Sequence, residues 1–214
     1  MHIHIPDGVF PFWLWLLAFI LTFILLIFVS LKVKGEKEKI PLTGILTALI
    51  LLVMTIPLGL PFHLNLIVLA GILLGSYWVF LLIFIVNLIL ASFGHGGITI
   101  VGLNTLFLWI QAFLGIFLFK SLFFYSKKIF WSGVLATFLS LIISYFLMLG
   151  TISLGEIDFS QTLPALFGPQ KLDISLSTFI LLSFPLVLLG TIIESFVTGF
   201  TLQFLKKISP NLLK

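Results

Sequence analysis

The sequence contains no cysteine and no arginine. The first absence excludes disulfides and thiolate metal sites. A bound cation must then take imidazole, carboxylate, backbone or terminal-amine donors. Charge is scarce too: Asp, Glu and Lys make up 8% of the 214 residues, against about a quarter in soluble domains. So few charges cannot cover a water-exposed surface, so the chain belongs in lipid. Catalytic signatures are also missing. There is no His-Glu-x-x-His metalloprotease helix, no Gly-x-x-x-x-Gly-Lys-Ser/Thr nucleotide loop and no Gly-x-Ser-x-Gly elbow. The expectation is a non-enzyme, and any energy coupling requires an ATPase on another chain. The net charge of +4 gives no reason to expect nucleic acid.

What is present is apolar: 61% of residues are hydrophobic, with 25 Phe and 5 Trp, a composition suited to lipid-facing helices with aromatic anchors. A spanning helix needs about 20 apolar residues. The pattern predicts an all-α polytopic protein, a single domain over 1–214. It has about seven helices, near 10–33, 41–58, 64–75, 77–92, 103–124, 129–149 and 175–205. The first is too long for a signal peptide and lacks a basic start and a cleavage site, so it is expected to be retained. The run from Leu64 to Phe93 exceeds one span, and Gly75-Ser76 near its middle predicts a turn. Pro185 and Gly190 predict a kink in the last helix. The stretch from Thr151 to Asp173 is the one sizeable polar segment.

With seven spans, ten of the eleven lysines fall on one side, and Lys171 alone on the other. The positive-inside rule makes the lysine side cytoplasmic, with the amino terminus outside and the carboxyl terminus inside. The same layout puts His2, His4, His63 and His95 together on the outer side. The segment 1–9, Met1-His2-Ile3-His4-Ile5-Pro6-Asp7-Gly8-Val9, is therefore the predicted metal-binding end. A free α-amine on Met1, the amide nitrogen of His2 and its imidazole can chelate one ion through fused rings. Such nitrogen sets suit Ni(II), Cu(II) and Co(II). His63 follows Pro61 at the start of the third helix. It is either a ligand or a water-bonded interfacial histidine. His95, between glycines, is a turn residue, a brace for a ligand, or itself a ligand. Asp7 is expected as a cap or turn former near the first helix, with a histidine-steering role as the alternative. Glu194 lies inside the last helix and must bond to a neighbour. Asn87, Asn104 and Gln111 are expected to bond between helices.

Four stretches together resemble the CbiM/NikM family, the substrate-binding M component of cobalt and nickel energy-coupling factor (ECF) transporters. They are His4-Ile-Pro-Asp-Gly8; Phe62-His-Leu64 with Gly71-Ile-Leu-Leu-Gly75; Phe93-Gly-His-Gly-Gly-Ile-Thr-Ile-Val-Gly-Leu-Asn104; and Glu194-Ser-Phe-Val-Thr-Gly199. They occur in the family's order and span nearly the whole chain. The resemblance implies an S-component-like fold of seven helices. It implies uptake of Ni2+ or Co2+ as cargo with no permanent cofactor, in the plasma membrane of a prokaryote. The implied partners are an ECF transmembrane scaffold, ATPase subunits and a small N-type membrane subunit. The implied ligands are the amine of Met1, the amide and imidazole of the second residue, and His63; beside them, His95, Asn104 and Asp7 are expected to brace the pocket or to ligate. Two residues precede the family's usual start. Aligning Pro-Asp-Gly matches the family histidine to His4, whereas counting from the amine matches it to His2, so both stay as ligand candidates. Pro61-Phe62 stands where the family tends to have Ser-Gly. The rival readings are a component taking up an organic micronutrient, and a membrane metal-binding subunit outside transport.

Overall fold

A computed structural model describes residues 2–3, 7, 10–55, 62–154 and 176–213. Met1, His4, Pro61 and nearly all of the polar stretch 151–173 lie outside them. Seven helices stand among the described residues: α1 (Phe12–Val33), α2 (Ile40–Thr55), α3 (Ile67–Leu74), α4 (Ser76–Ser92), α5 (Val101–Ser126), α6 (Ile129–Leu154) and α7 (Leu176–Ile208). The seven-helix, all-α expectation is met, with one addition. Two-residue strands β1 (His2–Ile3) and β2 (Phe62–His63) pair antiparallel. The α5 and α6 helices extend beyond their expected ends, and α7 runs through Pro185 as one helix of 33 residues.

Five helices are long and apolar enough to cross a membrane by length and composition, and α4 is a shorter apolar one. The chain is a multi-pass membrane protein, and large apolar side chains cover its outside as well as fill its core. On α1 the buried positions are Ala18, Thr22, Val29 and Val33, while Phe12, Phe23, Ile27 and Leu31 point outward. Helices surrounded by acyl chains gain nothing by hiding large apolar groups, and they associate through small and polar residues. The α6–α7 seam follows this logic. Gly133 and Gly199 meet there: a Cβ on Gly199 would lie 3.1 Å from the Phe130 carbonyl oxygen. Thr137, Ser140, Thr191, Ser195 and Thr198 are buried on these two helices.

The predicted turn at Gly75-Ser76 is found. Gly75 takes φ 86°, a region glycine enters without a Cβ clash, and separates α3 from α4. This break is fastened to the lysine-bearing loop after α1. Lys39 Nζ donates to the Leu74 carbonyl (3.4 Å). The Trp78 indole donates to Glu36 (2.9 Å), which also pairs with Lys39 (2.7 Å). The carboxyl end of α3 therefore sits at that loop's level. At 1.5 Å per residue, eight residues rise about 12 Å. The segment carrying His63 stands just before the amino end of α3, the end away from that loop, and His63 is buried there.

Candidate metal site

His63 begins the geometry. Its residue is 6% exposed, at the end of β2. The register pairs His2 with His63 and Ile3 with Phe62. The amino-terminal strand thus runs alongside the His63 segment, backbone to backbone. His4, the other alignment candidate, and Met1 lie outside the described residues.

His95 comes to the same place. Its ring centroid is 5.2 Å from that of His63, with the planes at 62°. Gly94 (φ 74°) and Gly96 (φ 98°) flank it, and its amide donates to the Leu90 carbonyl (2.9 Å). The loop therefore turns tightly off α4 and carries the imidazole back against His63. His95 thus lies in the glycine-rich loop after α4 and in ring contact with His63.

Asp7 does not cap α1. That helix starts after Pro11 with no side-chain cap. Instead the Asp7 carboxylate accepts the amides of Ile98 (3.1 Å) and Thr99 (2.8 Å) and the hydroxyl of Thr99. It caps the 3-10 turn at Ile98–Ile100 that leads into α5, where exposed amides favour a carboxylate. The Thr99 hydroxyl bond lowers the Asp7 pKa, opposed by partial burial and helped by the two amides. Gly97 makes room for this contact, since a Cβ there would fall 2.3 Å from Asp7 Oδ1. Asp7 is thus a strap between the amino-terminal segment and the glycine-rich loop. Among the described residues, that loop brings His95 and the strap's receptor together.

A buried polar network holds the residues that follow His63. Glu194, fully buried on α7, accepts the amides of Asn65 (3.2 Å) and Leu66 (3.0 Å). Asn65 Oδ1 accepts the Ile67 amide (3.0 Å) and the Gln111 side-chain amide of α5 (3.1 Å). Asn65 and Glu194 together cap the amino end of α3, and Leu66 turns into it at φ 51°. A carboxylate at a helix start meets both unpaired donors and the positive end of the dipole. The chain two residues after His63 is therefore held from α5 and α7 at once. The expected interhelical bond appears for Asn87, which donates to Thr105 (3.1 Å), whereas Gln111 and Glu194 bond to the segment before α3. Asn104 is buried in the first turn of α5.

Asn65 escaped the sequence reading. Its available signal was an amide side chain inside an otherwise apolar run of about thirty residues. Thr99 was missed as well, because its role depends on a residue 92 positions away.

Chemically, the arrangement offers two imidazoles in contact and a paired backbone strand, beside a segment that a buried acid fixes. Among the described residues, no three His, Asp or Glu side chains form a cluster of metal-ligand type. A cation here would need backbone nitrogen or the residues before Ile5 to complete its shell.

The family model for the cobalt uptake substrate-specific transmembrane region, CbiM, matches residues 4–212. Two crystal structures share the fold, one of a transition metal transporter and one of a truncated transition metal transporter. Each is 20% identical with a TM-score of 0.77 over 96% of this chain, covering 93% of the first and 99% of the second. No curated protein matches by sequence.

Proposed function

For a chain that belongs to the CbiM family of cobalt-uptake substrate-specific transmembrane regions, and so is a metal-uptake transporter component, we propose the following site. A divalent Ni2+ or Co2+ ion is captured by the Met1 α-amine, the His2 amide nitrogen and imidazole, and the His63 imidazole. His2 takes precedence over His4, which remains the alternative fourth donor. The observation that carries this reading is the β1–β2 register, which sets His2 opposite His63. His95 supports the His63 ring, Asp7 straps the entering segment, and Asn104 lies under the same loop. The donors must be deprotonated, so binding weakens as pH falls through the range of amine and imidazole pKa values.

In this reading the amino terminus faces outside and the lysine-rich ends face the cytoplasm of a prokaryotic cell. The cargo is handed on through an ECF assembly of transmembrane scaffold, ATPase subunits and a small N-type subunit. Isothermal titration of purified protein with Ni2+ and Co2+ tests the site. Wild type binds, His63→Ala loses at least about tenfold in affinity, and acetylating the Met1 amine does the same. Unchanged affinity after acetylation removes the amine and returns the case to His4 with His63. No binding of either ion by wild type refutes the proposal.

A further inference from the structure

A second concave feature lies away from the histidines, where the α5–α6 turn meets the end of α7. It is a cleft of about 600 Å³ lined by Lys127, Lys128, Phe130, Trp131, Lys206 and Lys207, among others. Four of the chain's eleven basic residues gather there. Among the described residues none of the four makes an ion pair; the pair between Lys39 and Glu36 belongs to a different loop. The lysines are held by the fold. Lys127 closes α5 in a left-handed conformation (φ 56°), its amide donating to the Phe123 carbonyl (3.0 Å). Its Nζ stands 4.8 Å from the Phe124 ring centroid, and that of Lys206 5.8 Å from Phe123. Phe130 packs on Phe200 at 4.9 Å, and Trp131 remains half exposed.

We propose that this cleft binds the phosphate headgroup of an anionic phospholipid. Lysines at helix ends serve topology wherever they fall, but here they share one cavity with an aromatic wall. A phosphate gains charge and hydrogen bonds from several ammonium groups, and the aromatic wall suits the glycerol and the first acyl carbons. The volume is of small-ligand size. Its position, where apolar helices give way to lysines, is where a headgroup already lies. A soluble phosphate has the same charged end but nothing to place on the apolar wall.

Trp131 provides the readout. The protein is reconstituted in phosphatidylcholine nanodiscs containing brominated phosphatidylglycerol or brominated phosphatidylcholine at equal mole fraction. The Trp131 signal is isolated by subtracting Trp131→Phe. The expected result is that the anionic lipid quenches Trp131 at least about threefold more strongly. The preference disappears in Lys127→Gln/Lys206→Gln and survives in the control pair Lys32→Gln/Lys34→Gln, both pairs retaining wild-type circular dichroism. If the first pair fails to fold, the single variants Lys128→Gln and Lys207→Gln replace it. Equal quenching by the two lipids, or equal loss in both lysine pairs, overturns the proposal, because a general surface field then explains everything. Relief of quenching by millimolar inorganic phosphate assigns the cleft to soluble phosphate and overturns the lipid assignment. Shielding of Trp131 by a polyglutamate peptide, with no lipid preference, makes the face a dock for an acidic protein segment and likewise overturns it.

Discussion

Glu194 shows what one residue does in this fold. A carboxylate with no exposure is costly at membrane depth, yet here it satisfies two backbone donors that would otherwise be orphaned. Leaving such a buried amide without an acceptor costs roughly 1–3 kcal/mol. Glu194→Ala should therefore lower thermal stability and, through the shifted His63 segment, weaken metal binding. Glu194→Gln keeps one acceptor and should restore much of the loss. Melting curves and metal titrations on both variants check this; identical behaviour of the Ala and Gln variants would argue against the capping role. Asp7 acts at the other edge. Its folded pKa lies below the ordinary 3.8, so its stabilising contribution is complete above that value. It is lost only as pH falls through the lowered one. Between pH 5 and 8 it stays ionised and cannot shape the pH profile of metal binding. Asp7→Asn should speed metal release, measured by chelator chase, while leaving the pH midpoint of binding where it is in wild type.

At the scale of elements, α3 and the α6–α7 seam carry the argument. The eight residues of α3 are too few to cross a bilayer, and His63 stands just before their amino end. The break at Gly75 was legible because a thirty-residue apolar run cannot be one straight span, and Gly-Ser offered the place to divide it. The strand pairing was not legible. Two-residue strands have no periodicity, and β1 and β2 are linked by a register 61 positions apart. The α6–α7 seam depends on Gly199. Gly199→Val would press against Val134 and the Phe130 carbonyl and should destabilise by about 1–3 kcal/mol. The effect is read as a lower melting temperature in detergent, with a smaller effect for Gly199→Ala. A valine tolerated without change would mean the two helices can separate at no cost.

Across the whole molecule the layout divides the labour. Among the described residues, His2, His63, His95 and the Asp7 strap gather where the amino-terminal segment meets the glycine-rich loop, and Lys127, Lys128, Lys206 and Lys207 stand at the carboxyl ends of α5 and α7. Large apolar side chains on the outside suit a body that moves or docks within lipid. The chain carries no nucleotide loop. In proteoliposomes holding this chain alone, ATP should therefore produce no accumulation of radioactive 63Ni or 57Co. Addition of the cognate ATPase and scaffold subunits should produce it. ATP-driven uptake by the isolated chain would contradict the proposed dependence on partners.

The amino-acid order determined a good deal unaided. The membrane class follows from charge scarcity, the seven-helix count from the lengths of apolar runs, and the exclusion of thiolate donors from the missing cysteines. Each is a sum over composition or a local length, so no contact need be known. The tertiary structure decided which residues meet. Asp7 caps a turn 91 positions away, Glu194 caps α3 from the last helix, and His95 turns back onto His63. The β1–β2 register sets His2 opposite His63. These are long-range hydrogen bonds and ring contacts, and their partners are fixed by how helices of unequal length stack, which no local pattern records.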